Sequence, residues 1–452
     1  MPGFDEQYDT IVLGLGKTGQ SIVDYYMSKG RPLLAMDSGI NEEKAEHIRK
    51  KYPDLALALG EFDEKLLSSA NEIIISPGIP VSTPAIQEAL SRGVSLSSDI
   101  EIFCQKISSP VLAVTGSNGK STVATLLAQM IERAGFTVAL AGNIGIPVLQ
   151  LLESNEPDFY VLELSSFQLE VVRSLNAKAA VVVNVSEDHM DRYNSFAEYA
   201  MTKQAIFHGD GAMIINMDDD SVRNMLDGNR QYTGFSLSKP GKDEFGVVEE
   251  NGEQQICFGS KVLLPASSLR IKGPHNIANS LAALAMGHAI ELPWSPMLDA
   301  LKDFEGLPHR CQWVANVDGV NWYNDSKGTN VGATCAAIEG LKDSGDMILI
   351  AGGEGKGADF SDLKDSVRAG VKSVVLIGRD AKTLEHVLSD VCECVIALDM
   401  KSAVDTAARL SQAGDIVLLS PACASQDMFR DYQHRGQEFI TAVKALEDAT
   451  GV

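Results

Sequence analysis

The sequence predicts an α/β protein built from three consecutive domains with mostly parallel sheets. Two observations carry that expectation. The chain has 452 residues, which at roughly 150 residues per domain makes about three. Apolar runs of strand length alternate with helix-period segments almost throughout, the pattern of stacked βαβ units. Apolar residues make up 45% and charged residues 22%, the balance of a folded globular chain with enough material for several cores.

The first set of units spans 1–99. Strands are expected at Thr10–Leu13, Pro32–Met36 and Glu72–Ile75, and helices at Thr18–Lys29 and Asn41–Lys51. The stretch SPGIPVSTP after the third strand reads as a turn-rich loop. The pattern weakens over residues 98–108, where a domain boundary is placed. A second set, 100–306, opens with PVLAVTGSNGKST: a strand, a Gly-rich turn, then a helix over Ser121–Ala134. Strands at Thr137–Leu140, Phe159–Glu163, Ala179–Asn184 and Ala212–Asn216 continue it. Residues 232–270 turn polar and β-like and predict a small antiparallel insert, and the helix His275–Ile290 closes the domain. The third set, 307–452, alternates strands at Val320–Tyr323, Met347–Ala351, Ser373–Ile377 and Asp415–Leu419 with helices. The first and third domains read as Rossmann-like, and the central one as P-loop ATPase-like.

Charge narrows the partners. Against 38 Lys and Arg stand 61 Asp and Glu, a net charge of −23. Such a surface repels a phosphate backbone, so nucleic acid is not the expected partner. An anionic small molecule needs local Lys, Arg or helix N-termini set against the global field. No window approaches the ~18 apolar residues of a membrane span, and MPGFDEQYDTIVLGLG lacks the regions of a signal peptide. Seven scattered cysteines, with only Cys392 and Cys394 close together, match no zinc spacing and fit a reducing compartment. A cytoplasmic chain without membrane insertion is the expectation, and nothing demands more than a monomer.

The chemistry centres on Gly116-Ser117-Asn118-Gly119-Lys120-Ser121-Thr122, between a buried strand and a helix. Backbone N–H groups of such a turn, with the helix N-terminus behind them, cradle anions. Lys120 can reach outer phosphates and Ser121 can hold Mg²⁺. Two residues rather than four separate the glycines, so this is not the usual P-loop spacing. Glu163 closes an apolar strand, and His189 follows another; each could complete a Mg²⁺ site or serve as a cap or surface residue. The first domain carries Gly14-Leu15-Gly16-Lys17-Thr18-Gly19, with Asp37 eighteen residues further on. Taken alone, that reads as a dinucleotide fingerprint and supports an NAD-type oxidoreductase.

Eight segments follow one another across all three domains: TGSNGKST, GNIG, LELSSFQLE, HMDRY, HNIANSLAAL, LPHR, NDSKGTN and SPACASQDMF. In this order they resemble the Mur ligases, which activate a substrate carboxylate with ATP and let an amino acid's amine attack the acyl phosphate. The resemblance implies that ATP is held by the Gly116–Thr122 loop with Asn276, His309, Arg310, Asp325 and Lys327. It implies two Mg²⁺ sites drawn from Ser121, Glu163, His189 and Lys203, the last as a carbamate. Lys120, Asn143, His189 and Lys203 become the catalytic set. A UDP-linked substrate, UDP-N-acetylmuramoyl-L-alanine, then falls to Lys17, Thr18, Asp37, Ser38, Pro77, Gly78, Asn143, Ser165 and Gln168. SPACASQDMFRDYQHRG is similar to the branch that adds D-glutamate, and no D-N-P-R motif is present. That match assigns Thr329, Lys356, Ser425, Gln426 and Tyr432 to D-glutamate; Tyr432 stands where the branch implies Phe.

Bland readings stand beside these. Lys203 could be an exposed helix lysine, Asp325 and Lys327 a surface ion pair worth little, and GEGKGA a flexible loop. The rivals are a sister ligase adding another amino acid, folylpolyglutamate synthase among them, and an inactive binding scaffold. A serine hydrolase is disfavoured because no G-x-S-x-G elbow occurs.

Overall fold

The computed structural model describes residues 8–450 apart from 41, 227, 229, 272, 343 and 344. Asn41, where the second predicted helix starts, and the outermost ends of the first and third predicted domains lie outside the described residues.

The first sheet is parallel, in the order β3-β2-β1-β4-β5. Its strands are β1 (Thr10–Leu13), β2 (Leu34–Asp37), β3 (Ala56–Leu59), β4 (Glu72–Ile75) and β5 (Ser95–Ser97). β3 and β5 go beyond the sequence reading. Strand order reverses between β1 and β4, and the crevice at the carboxyl ends there is where open α/β sheets bind ligands. The helix Lys17–Ser28 starts directly after the glycine turn. A Cβ on Gly19 would stand 1.7 Å from the Gly14 carbonyl, so only glycine lets helix and turn approach this closely.

The central sheet runs β14-β13-β12-β11-β10-β9-β6-β8-β7. Its strands are β6 (Val111–Thr115), β7 (Val138–Gly142), β8 (Phe159–Glu163), β9 (Ala179–Val182), β10 (Ala212–Asn216), β11 (Tyr232–Phe235), β12 (Phe245–Glu250), β13 (Glu253–Phe258) and β14 (Lys261–Pro265). The predicted insert needs one correction. β11 pairs parallel with β10 and, through Phe235 and Phe245, with β12. Only β12, β13 and β14 are antiparallel, so the insert extends the main sheet instead of forming its own.

The third sheet runs β15-β16-β20-β17-β18-β19. It comprises β15 (Gln312–Val317), β16 (Val320–Asn324), β17 (Met347–Gly352), β18 (Val371–Ile377), β19 (Glu393–Ile396) and β20 (Ile416–Leu419). It is parallel except for the edge hairpin β15–β16.

Two apolar layers cover the two faces of the third sheet. The first and central domains instead share one layer, in which Val12, Ile22 and Tyr26 pack with Phe103, Val111 and Tyr160. The helix Asp99–Cys104, where the sequence pattern weakens, sits in that shared layer and ties the two domains together. No helix among the described residues is long and apolar enough to cross a membrane.

Candidate active site

The candidate residues gather at strand carboxyl ends. The glycine loop follows β6, Glu163 closes β8, His189 lies in the loop after β9, and Asp325 with Lys327 follows β16. Lys356 follows β17, and Ser425 with Gln426 follows β20.

The glycine loop is built around two glycines. Gly119 has φ +79, and an added Cβ would stand 2.3 Å from Asn279 Oδ1. Gly116 has φ +154 and lies against the Asn184 backbone. Lys120 Nζ donates to the carbonyls of Gly116 and Ser117 at 2.8 and 2.7 Å, so the ammonium rests on its own loop. Burial holds its pKa below the usual lysine range, and Arg310 adds to that lowering. Thr122 faces the cavity beside the loop.

Lys203 is 1% exposed, which removes the reading of it as a surface lysine. Its Nζ donates to the Gly116 carbonyl at 2.9 Å and lies 4.5 Å from the Tyr199 ring centre. Burial, with Lys120 nearby, lowers its pKa well below the ordinary value. Glu163 is equally buried: Oε1 accepts from Asn143 Nδ2 at 2.8 Å, while Oε2 has no partner. A buried carboxylate oxygen left without a donor is costly unless something else meets it. His189 has φ +59, with Nε2 3.7 Å from an Asp188 oxygen and its ring against Phe167. Burial lowers its pKa, and the charges of Lys356 and Lys120 add to this. Among the described residues no three His, Cys, Asp or Glu side chains converge as a metal site.

The third domain closes over this loop. Arg310 donates to Ser121 Oγ at 3.0 Å. Asn330 exchanges amide hydrogen bonds with Asn118 at 3.2 and 3.3 Å and donates to Asp188 at 3.2 Å. Between the two domains lies a cavity of about 300 Å³ lined by Asn276, Asn279, Arg310, Asp325 and Lys327 among others. Asp325 and Lys327 are not an ion pair. Asp325 is buried and accepts from Cys311 N and Ser420 Oγ, and burial raises its pKa to about 6. Lys327 Nζ instead lies 4.1 Å from the Tyr432 ring centre. His309 has φ +63 and meets the Asn324 amide through Nδ1 at 2.9 Å. The segments carrying Lys356 and Ser425 are laced together by paired backbone bonds between Glu354 and Ala424. Thr329 N donates to the Lys327 carbonyl at 2.9 Å, while Lys356 (φ +52) and Gln426 are exposed.

In the first domain Asp37 accepts from Leu15 N at 2.6 Å through one oxygen and from Gly39 N and Ile40 N through the other. That occupies both oxygens in pinning the glycine turn. Lys17 and Ser38 are exposed and Thr18 is half-buried at the mouth of the crevice. Ser165 and Gln168 form a reciprocal capping box at the start of a short helix. A groove lined by Pro77, Gln168 and Arg192 joins the two domains, and Gly78 is exposed beside Pro77. There Arg192 donates to the Pro77 and Ile79 carbonyls and to Glu170.

Asp188, Asn330, Arg192 and Arg435 escape the sequence reading. Arg435 is 1% exposed and donates to Ser326 Oγ and O and to the Cys423 and Ala424 carbonyls. An arginine in the amphipathic register of a terminal helix gives no sign that it is buried; Asp188 adjoins HMDRY, Arg192 lies within it and Asn330 closes NDSKGTN, the only signal available.

Three α/β sheets, with a strand–glycine loop–helix turn of the anion-cradling type facing a third domain, define a multidomain α/β protein of the nucleotide-binding class. The chain matches the Mur ligase MurD-like N-terminal domain over residues 8–98, the Mur ligase middle domain over 114–287 and the Mur ligase glutamate ligase domain over 309–423. It belongs to the Mur ligase family and is an ATP-dependent ligase. Within that family it is 47% identical, over 96% of this chain and 98% of the relative, to UDP-N-acetylmuramoylalanine–D-glutamate ligase of Pseudomonas savastanoi. Identity is 48% to the protein of that name in Nitrosococcus oceani, over 97% and 96% of the two chains. Among solved structures, the fold resembles MurF ligase of Thermotoga maritima in complex with ADP, with TM-score 0.62, 16% identity and coverage of 98% and 96%. It also resembles UDP-N-acetylmuramate–alanine ligase of Thermotoga maritima, with TM-score 0.61, 16% identity and coverage of 97% and 99%.

Proposed function

We propose that the protein joins D-glutamate to the L-alanine carboxylate of UDP-N-acetylmuramoyl-L-alanine, splitting ATP to ADP and phosphate, in cytoplasmic peptidoglycan precursor synthesis. The observation that carries this reading is the match along nearly the whole of both chains to relatives of that one named activity.

The UDP group sits in the first-domain crevice, on the helix N-terminus behind Gly16, with Lys17, Thr18, Ser38, Pro77 and Gly78 around it. Asp37 acts there by fixing the turn. Asn143, Ser165 and Gln168 line the path of the muramoyl arm toward the phosphate loop. ATP lies between the central and third domains. Its base is met by Asn276, and its phosphates by the Gly116–Thr122 backbone, Lys120, Arg310 and Lys327. His309 and Asp325 shape the wall beside these cations.

The alanine carboxylate oxygen attacks the γ-phosphorus, the bond to ADP breaks, and an acyl phosphate forms. The neutral amine of D-glutamate then attacks the acyl carbon. The tetrahedral adduct expels phosphate, and the amine's extra proton is released. Little covalent work falls to the protein: it aligns the groups and neutralises charge. Thr329, Lys356, Ser425, Gln426 and Tyr432 surround D-glutamate, with Lys356 the cation for its carboxylates. Two Mg²⁺ ions held by Ser121, Glu163, His189 and carbamylated Lys203 would offset phosphate charge; the unpartnered Glu163 Oε2 supports such a cation. The buried Lys203 amine, biased toward its neutral form, suits addition to CO₂. A nitrogen–carbon bond forms, the nitrogen loses a proton, and an anionic carbamate results.

Phosphate release from ATP and Mg²⁺ with UDP-N-acetylmuramoyl-L-alanine tests the reading across D-glutamate, L-glutamate, L-alanine and diaminopimelate. Release with D-glutamate alone is expected. Release with another amino acid instead overturns the assignment of the third domain, and release with none overturns the activity.

A further inference from the structure

We propose that Tyr432 is a positioning residue for phosphoryl transfer: its ring face holds the Lys327 ammonium toward the nucleotide cavity. The proposal rests on the reading of Lys327 as an ATP phosphate contact and assigns Tyr432 work beyond D-glutamate binding.

The backbone of Lys327 is fixed from both sides, its N–H donating to the His309 carbonyl and its carbonyl accepting from Thr329 N. The side chain is less constrained. Lys327 belongs to no ion pair or side-chain hydrogen bond in the described structure, and its Nζ lies 4.1 Å from the centre of the Tyr432 ring. The charges that act on it come from other elements: Arg310 and Lys120 repel it, while Glu163 and Asp188 attract it. Burial comes first among the causes that lower its pKa to about 8. A desolvated cation pressed by two others stays charged and pointed only if something favours it locally. An aromatic face does so without competing for the phosphate that the cation must meet.

The residue that carries the ring is anchored through its backbone. The Tyr432 carbonyl accepts from Ser326 Oγ at 2.8 Å, and the ring stands edge-on to His309 at 6.1 Å and 83°. Three residues along the same helix, Arg435 donates to Ser326 Oγ and to its carbonyl. The first turn of the helix Tyr432–Thr450 therefore grips the residue before Lys327 while presenting a ring to Lys327 itself. Geometry assigns the effect to the ring and not to the hydroxyl.

Steady-state phosphate release by the full-length protein tests this. Tyr432→Phe is expected to keep kcat/KM for ATP within about twofold. Tyr432→Leu is expected to lower it about five- to tenfold, and to move its alkaline limb down by about half a unit to one unit. The sign follows from the charge: without the ring the ammonium is less favoured, so it loses its proton at lower pH. KM for D-glutamate is measured alongside, because Tyr432 is also assigned to that site; the ATP defect and the shifted limb are expected whatever that KM does. Tyr432→Met, of similar reach, repeats the comparison if the leucine variant does not fold. A loss confined to KM for D-glutamate with an unmoved limb, or a phenylalanine variant as deficient as leucine, overturns the proposal. Lys327→Met separates the two layers. Unchanged ATP kinetics in that variant overturn the phosphate role of Lys327; a defect there beside normal Tyr432→Leu kinetics overturns the tyrosine's.

Discussion

At the scale of single residues, Lys203 is where burial and chemistry pull apart. An amine 1% exposed, hydrogen-bonded to one carbonyl, is a poor choice for stability. Lys203→Met is therefore expected to leave the melting temperature unchanged or higher while abolishing turnover. Lys203→Ala should lose at least about a hundredfold in kcat. It should regain part of that with added short-chain carboxylates, which fit the vacated space and restore an anion. A ¹³C-bicarbonate NMR signal present in the natural protein and missing in the alanine variant checks the carbamate directly. Full activity of Lys203→Ala would refute it. Lys120 and Glu163 were legible in the sequence because each ends a short pattern with one physical meaning: a glycine turn before a helix, an acid closing an apolar strand. Asp188, Asn330 and Arg435 were not. The Asn118–Asn330 contact spans 212 residues, and no local pattern encodes a partner that far away.

At the scale of elements, the glycines of the two turns make separate tests. Gly119→Ala forces a Cβ into Asn279 and a left-handed φ onto alanine. It should cost about 1–3 kcal/mol, visible as a lowered melting temperature, with KM for ATP raised about tenfold or more. Gly16 has φ −68 and open space where a Cβ would go. Gly16→Ala should leave both the melting temperature and KM for ATP unchanged, and an equal loss in the two variants would contradict this account of the loop. The long helices and the buried strands were readable from period and flanking turns. The misses were short or edge strands. ALAL at β3 and SLS at β5 carry little strand propensity, and pairing with β2 and β4 makes them strands. The same holds for the insert: its composition announces β-structure, but only the neighbour it docks on makes β11 parallel.

At the scale of the whole molecule, the first and central domains share a core layer, whereas the third meets the phosphate loop through polar contacts. Polar interdomain contacts of this kind permit relative motion, and an acyl phosphate needs water excluded while it exists. Small-angle scattering should therefore show a smaller radius of gyration with an ATP analogue and the UDP-linked substrate than without them. Superimposable profiles would mean that the third domain stays seated throughout. The sequence by itself determined three α/β domains and the glycine loop, because strand–helix alternation and glycine turns are written locally, and eight motifs in order carried the resemblance to the family. Tertiary structure alone decided that Lys203 is buried beneath that loop, that Asp325 and Lys327 do not pair, and that Tyr432 faces Lys327. Burial and charge partnership are properties of the packed chain: they depend on which strand ends are brought together, and the sheet order that does this is set by packing energy summed over whole faces.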